Sequence, residues 1–257
     1  MTGFIPIITA GRSGSNHFCD CLGGFNENLS LYEIFQEKET WLPEEQFKYF
    51  KKIYERKNDI FKEKIKLKKE LHNYSHSYPL KFLYDIQAST EREYFSFKIF
   101  PHHLRRKHIY GILENCKGLI LLKRNPIDMY ISLKKAEESG KWSNFDTSKY
   151  KIKFDIPKYR QHEKLINEWF MHCSDLAEAY GLKVFNINYE DLCLLDFHEQ
   201  MEFIKNSVND TFGLKWTLAK NLREERIKQD KSKNYEEKIE NFDEFYSFFE
   251  NQNKTFL

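Results

Sequence analysis

The sequence is sparing with the residues that break chains into pieces. Glycine and proline number 10 and 6 in 257 residues, and no Pro/Gly/Ser-rich linker, internal repeat or low-complexity tract interrupts it. A single domain over 1–257 is the expectation. No run of 18 apolar residues occurs, and the N-terminus runs straight into an apolar strand without a charged n-region. That argues against a membrane span and against a secretory signal. The five cysteines (Cys19, Cys21, Cys116, Cys173, Cys193) are odd in number and form no Cys-x-x-Cys pair and no Cys/His grouping at zinc spacing. Free thiols in a reducing, cytoplasmic compartment follow, and no metal site is expected. Net charge is also missing: 41 Lys plus Arg against 39 Asp plus Glu leave +2, so nothing global attracts nucleic acid or a membrane surface. Any anion site must be local.

Aromatic residues are plentiful, with 23 Phe and 15 Tyr, and apolar residues make up 40% of the chain. Such a chain has the means to build a core and is not disordered in composition.

The most informative stretch is Phe4 to Leu22. Phe4, Ile5, Ile7 and Ile8 form a short buried strand, Gly11 and Gly14 bound a tight loop, and a helix begins directly after it. Glycine allows close backbone approach or positive φ, and the unpaired N–H groups at a helix start favour a phosphate or sulfate. Arg12 adds a fixed charge and a planar donor fork, while Ser13, Ser15 and Asn16 can cap the helix or touch an oxyanion. A Walker A sequence is absent, since Ser15-Asn16 stands where Lys-Ser/Thr would follow the second glycine.

Further along, residues 28–35 read as a short strand running into a turn, with Glu33 near the strand's end, where ligands of open α/β sheets bind. Residues 44–72 carry one apolar stripe (Phe47, Phe50, Tyr54, Phe61, Ile65) among many lysines, the pattern of a surface helix, or of a lid over an acceptor substrate. Residues 94–100 alternate, putting Phe95, Phe97 and Ile99 on one face and Ser96 and Lys98 on the other. Burying Lys98 there demands an anionic partner. His102 and His103 follow, and either imidazole could act as a base.

Residues 118–123 suit a central strand covered on both faces. After it come Arg124, Asn125 as N-cap, Pro126 at the first helical position and Asp128 in the capping-box place, with Ser132 on the same face as Asp128. Arg124 and Ser132 are candidate ligands of a second anion. Residues 138–160, with Gly140 and Pro157, read as a long substrate loop in which Trp142 could stack on a sugar or anchor the loop. A helix over 158–180 turns Leu165, Ile166, Trp169, Phe170, Cys173, Leu176 and Tyr180 inward. A strand over 183–188, Tyr189-Glu190-Asp191-Leu192, a helix over 197–209 and a tail with Lys228, Gln229 and Lys231 complete the chain. Helices between apolar strands define an α/β fold with a mostly parallel sheet flanked on both sides.

Together, residues 9–16 resemble the 5′-phosphosulfate loop of the sulfotransferase family, and Arg124-Asn125-Pro126 through Ser132 resembles its 3′-phosphate motif. The resemblance covers the framework from residue 4 to about 245 but not 37–92, a helical insertion, or 138–160. It implies a P-loop-kinase-like three-layer fold. It also implies 3′-phosphoadenosine-5′-phosphosulfate (PAPS) as co-substrate, with 3′-phosphoadenosine-5′-phosphate (PAP) as product, and a hydroxyl-bearing acceptor on a carbohydrate, lipid or small metabolite. In its terms Gly11, Arg12, Ser13, Gly14, Ser15 and Asn16 hold the 5′-phosphosulfate, Arg124 and Ser132 the 3′-phosphate, and Lys228, Gln229 and Lys231 the covering segment. Arg12 and Lys98 would stabilise the transferring group, and Glu33 or His103 would take the hydroxyl proton. Two departures stand out: soluble eukaryotic members have Lys at the place of Arg12, and their catalytic histidine falls where this chain has Phe100. The pattern is closer to the bacterial carbohydrate- and lipid-modifying branch, in which a glutamate after the second strand serves as base. A P-loop nucleotide kinase, or a non-catalytic nucleotide-binding protein of the same fold, is the alternative.

Overall fold

The computed structural model describes residues 3–57, 64–142, 145–220, 230, 232 and 234–253. Their contacts divide into two compact units, Met1–Lys123 with Trp169–Glu224, and Arg124–Glu168 with Glu225–Leu257.

The first unit contains a five-stranded sheet: β1 (Gly3–Ile8), β2 (Asn28–Ser30), β3 (Tyr94–Ile99), β4 (Leu119–Lys123) and β5 (Val184–Asn188). The strand order is β2-β3-β1-β4-β5, and every pairing is parallel. Parallel neighbours need crossover helices, which cover both faces of a sheet. α1 (Ser15–Leu22) and α9 (Phe197–Phe212) pack on the face that carries Ile5, Ile7, Ile120 and Leu122. The opposite face presents Phe4, Phe95 and Phe97, and Phe4 meets Tyr84 of α4 (Pro79–Ala88) at a ring separation of 6.3 Å. This is the expected three-layer α/β arrangement, a parallel central sheet flanked by helices. Each large apolar side chain buried in it contributes about 1.5–3 kcal/mol.

The insertion departs in detail from the single helix expected over 44–72. It contains α2 (Glu44–Lys57) and α3 (Lys64–Ser77), with 58–63, and hence Phe61 of the predicted stripe, outside the described residues. Phe50 is buried and packs against Phe82 of α4 at 5.3 Å, so the stripe acts as core there. α5 (Arg106–Asn115) follows β3. Within 28–35, read as a strand running into a turn, the strand is Asn28–Ser30 and Tyr32 in the turn takes a left-handed conformation (φ 56°). Backbone pairing persists beyond it, from Leu31 N to Ser96 O at 2.8 Å and from Lys98 N to Tyr32 O at 2.7 Å. Glu33 therefore leaves the sheet edge from a turned segment.

α6 (Pro126–Ser139) belongs to the second unit, and α7 (Ile156–Ala179) begins in it. The loop expected over 138–160 shortens to 140–155, since Pro157 falls in the first turn of α7, where its missing N–H costs nothing. On α7, Ile166, Trp169, Phe170 and Cys173 are buried as expected, but Leu165 is exposed, as is Tyr180 just past the helix end, and Ala177 is buried among them. The helix buries a narrower stripe than its apolar count suggests. α8 (Tyr189–Cys193) follows β5, and α10 (Phe242–Asn253) follows the tail. The second unit's core gathers Tyr130, Phe154, Tyr159 and Phe245. Asn125 caps α6 through Ile127 N at 2.9 Å, while the Asp128 carboxylate turns to Lys238 Nζ at 3.3 Å. Lys135 of α6, fully buried, is paired at 2.9 Å with Asp230. Burial pushes the Asp230 carboxyl up, but hydrogen bonds from Lys135 and Ser232 outweigh it and leave its pKa below the usual value.

Candidate functional site

The loop between β1 and α1 is built from inside outward. Thr9 Oγ1 lies 2.7 Å from Ser13 Oγ and 2.9 Å from the Leu122 carbonyl oxygen. Thr9 Oγ1 is the donor to both, its single proton shared between the Ser13 hydroxyl oxygen and the Leu122 carbonyl. Both side chains are buried, at 0% and 1% exposure. Trp169 Nε1 donates to Thr9 O at 3.0 Å, fixing the same residue from the far side. The Ser13 hydroxyl oxygen is thus engaged as an acceptor within the loop's own architecture.

Of the two glycines, only Gly14 takes a positive φ (78°), and it is the N-cap of α1. A Cβ on it would lie 2.2 Å from the Tyr189 ring, so both conformation and space demand glycine there. Gly11 has no atom within 4 Å of a would-be Cβ, which leaves open room over its backbone. The second left-handed residue of the loop is Arg12 (φ 67°). A non-glycine residue there costs of order 1–3 kcal/mol and tends to mark a functional segment. α1 has no side-chain N-cap and no acidic residue in its first turn, so the positive end of its dipole carries no anion of its own.

Lys98 stands at the carboxyl end of β3. The β1–β3 register pairs it with Ile7, on the face that α1 covers. Its side chain is 1% exposed, and its ammonium reaches Asn16 Oδ1 at 2.6 Å and Glu33 Oε1 at 2.7 Å. The rings of Phe100 and Tyr32 flank it at 5.3 and 5.8 Å from their centroids. The anionic partner that a buried strand lysine requires is therefore Glu33. Glu33 engages Lys98 with one oxygen only, and its side chain keeps 28% exposure. The Tyr32 hydroxyl is bonded to Asp20 of α1.

His103 is 3% exposed and stacks on Phe100 at 4.6 Å. Its Nδ1 accepts from Phe100 N at 3.3 Å, so the proton of the neutral ring sits on Nε2. Burial pushes its pKa down to about 3, helped by the charges of His102 and Lys98, with the Lys98 carbonyl pulling weakly the other way. A base needs a free lone pair, and this ring has committed its own to the backbone.

The first unit thus brings together Gly11, Arg12, Ser13, Gly14, Ser15 and Asn16 in one loop, with Lys98 and Glu33 linked to it through Asn16. Arg124 and Ser132 lie in the second unit, Arg124 directly before α6 and Ser132 within it. Lys228, Gln229 and Lys231 lie outside the described residues. The supporting residues Thr9, Leu122, Trp169 and Tyr189 carry no chemistry of their own, and only the loop's geometry identifies them. Trp142 is 56% exposed. No helix among the described residues is long and apolar enough to cross a membrane, and no His/Cys/Asp/Glu group among them could hold a metal ion.

No protein-family model matches the chain, and no curated protein matches it. Among solved structures, the chain is similar to a sulfotransferase domain from the curacin biosynthetic pathway, at 17% identity and a TM-score of 0.47, covering 81% of this chain and 74% of that one.

Proposed function

We propose that the chain is a sulfotransferase that moves a sulfuryl group from PAPS to an acceptor hydroxyl. The observation that carries this reading is the placement of Lys98. A buried ammonium is held between Asn16, in the first turn of an uncapped helix, and Glu33, at the carboxyl edge of a parallel sheet. The loop N–H groups and helix end suit the sulfuryl and 5′-phosphate oxygens, and the motif resemblance identifies the nucleotide. Arg124 and Ser132 are assigned the 3′-phosphate, and Lys228, Gln229 and Lys231 the covering segment, on the sequence motifs alone.

The reaction forms one S–O bond to the acceptor oxygen and breaks the S–O bond to the nucleotide phosphate. Charge develops on the departing phosphate oxygen and on the sulfuryl oxygens, where Lys98 and Arg12 neutralise it. The acceptor proton goes to Glu33 through the oxygen that Lys98 leaves open. Glu33 is preferred to His103 because the His103 lone pair accepts from Phe100 N. A fixed ammonium and a positioned carboxylate supply this chemistry by orientation and electrostatics.

Calorimetric titration with PAP and with the nucleotide lacking the 3′-phosphate tests the binding half. PAP is expected to bind more tightly, and Arg124→Ala to remove about tenfold to a hundredfold of that preference, the value of a charge-assisted hydrogen bond. An unchanged preference in the variant would remove Arg124 from the site.

A further inference from the structure

Beyond Ser30 the edge of the sheet keeps the register of β2 a little further. β2 pairs Ser30 with Ser96, and the backbone bonds from Leu31 N to Ser96 O and from Lys98 N to Tyr32 O continue that ladder until Tyr32 stands beside Lys98. Residues side by side in a sheet share a face, and successive residues alternate. Tyr32 accordingly packs on the cluster that contains Ile7, Phe18 and Leu22, the α1 side, to which the register also assigns Lys98. One further extended residue would set Glu33 beside Ile99, on the opposite face with Phe95 and Phe97. The Glu33 carboxylate is instead 2.7 Å from Lys98 Nζ.

The residue that redirects it is Tyr32, whose φ of 56° lies in the left-handed region. Glycine takes that conformation freely, whereas a tyrosine is opposed by its own Cβ. A turn alone is satisfied by glycine. Here the position carries a ring and a hydroxyl, and both are engaged. The hydroxyl is bonded to the Asp20 carboxylate on α1. The ring centroid lies 5.8 Å from Lys98 Nζ, and the Tyr32 carbonyl accepts from Lys98 N at 2.7 Å. Tyr32 is thereby fixed both to α1 and to Lys98, while its backbone turns the next residue back toward the ammonium. A strained residue persists only where its surroundings over-determine it, and such residues cluster at functional sites.

We propose that Tyr32 is a positioning residue for the transfer reaction: its left-handed turn and its bond to Asp20 set the Glu33 carboxylate against Lys98, where the acceptor hydroxyl gives up its proton. The role of Glu33 in this statement rests on the sulfotransferase reading, whereas the turn and its anchors stand without it. Asp20 acts one step further back, as the group that holds the Tyr32 hydroxyl.

Variants separate a positioning role from a simple turn. Tyr32→Gly keeps the left-handed backbone without steric opposition but removes ring and hydroxyl. Tyr32→Phe keeps the ring and loses only the bond to Asp20, and Asp20→Ala loses the same bond from the part-exposed α1 side. In protein labelled with nitrogen-15 in lysine, the Lys98 ammonium signal is assigned by its loss in Lys98→Met and reports on its carboxylate partner by its shift in Glu33→Gln. Tyr32→Gly should move that signal toward its Glu33→Gln position. Transfer of labelled sulfate from PAPS into the hydroxyl compounds of a cell extract should fall at least tenfold in the same variant, with PAP affinity unchanged by calorimetry. Tyr32→Phe and Asp20→Ala should each lower the rate about tenfold and the double variant no further, as for one shared hydrogen bond to a charged group. An unmoved Lys98 signal or an undiminished rate in Tyr32→Gly, or additive losses in the double variant, would overturn the proposal. Absence of transfer in the wild-type protein would sink the sulfotransferase reading, and the ammonium signal alone would then decide whether Tyr32 sets the pair of Lys98 and Glu33.

Discussion

The Lys98 ammonium lies 2.7 Å from Glu33 Oε1, a buried cation on β3 joined to a part-exposed carboxylate that leaves the sheet just after β2. The two partners are unequal, and their removal should have unequal effects. Lys98→Met takes the buried charge away and leaves Glu33 to water, so unfolding free energy should change by only about 1 kcal/mol. Glu33→Gln leaves a buried ammonium held by neutral oxygens with no opposing charge and should cost about 2 kcal/mol. Urea unfolding of the two variants checks the order, and equal losses would mean that Glu33 does not neutralise Lys98.

Gly14 and Tyr189 should be energetically coupled. Gly14→Ala should lose about 3 kcal/mol or more in the native background, where a Cβ would lie 2.2 Å from the ring. In a Tyr189→Ala background only the left-handed conformation remains to be opposed, and the loss should fall to about 1–2 kcal/mol. A double-mutant cycle by thermal or denaturant unfolding measures the difference.

The hydrogen-bond order inside the loop can be read from single variants. Thr9→Val removes the donor to both Leu122 O and Ser13 Oγ, and should destabilise by about 1–3 kcal/mol. Ser13→Ala leaves the Thr9–Leu122 bond in place and should cost less. PAP affinity should follow the same order, as the loop's backbone is what Thr9 holds.

His103 makes stability depend on pH. Its folded pKa of about 3 lies below the ordinary 6.5, so the unfolded chain binds the extra proton. The stability it contributes is full above about pH 6.5 and is lost as the pH falls toward 3. His103→Phe should flatten the unfolding curve over that window. An unchanged slope would mean that the ring is not held neutral.

The parallel sheet, its helices and the paired faces of β3 were legible because alternation and apolar runs report burial directly, and Lys98 announced its need for an anion from the strand pattern alone. What was not legible depends on contacts between distant residues. Nothing local says that Tyr189 closes over Gly14, or that Trp169 reaches Thr9 from 160 positions along the chain. The division of labour between the glycines also escaped, because composition cannot tell that Arg12 and not Gly11 takes the left-handed turn. His103 reads as a base from residue type, and only the Phe100 N–H shows that its lone pair is spoken for. The helix Phe242–Asn253 hid in an acidic-aromatic run, whose Phe245 packs on Phe154.

Transfer of radiolabelled sulfate from PAPS into the hydroxyl compounds of a cell extract tests the central claim most directly, with wild-type protein and Lys98→Met run side by side. Labelled organic product from the wild type, reduced about a hundredfold or more in Lys98→Met, is the predicted result. Tight PAP binding without any labelled product, or an undiminished rate in Lys98→Met, would contradict it.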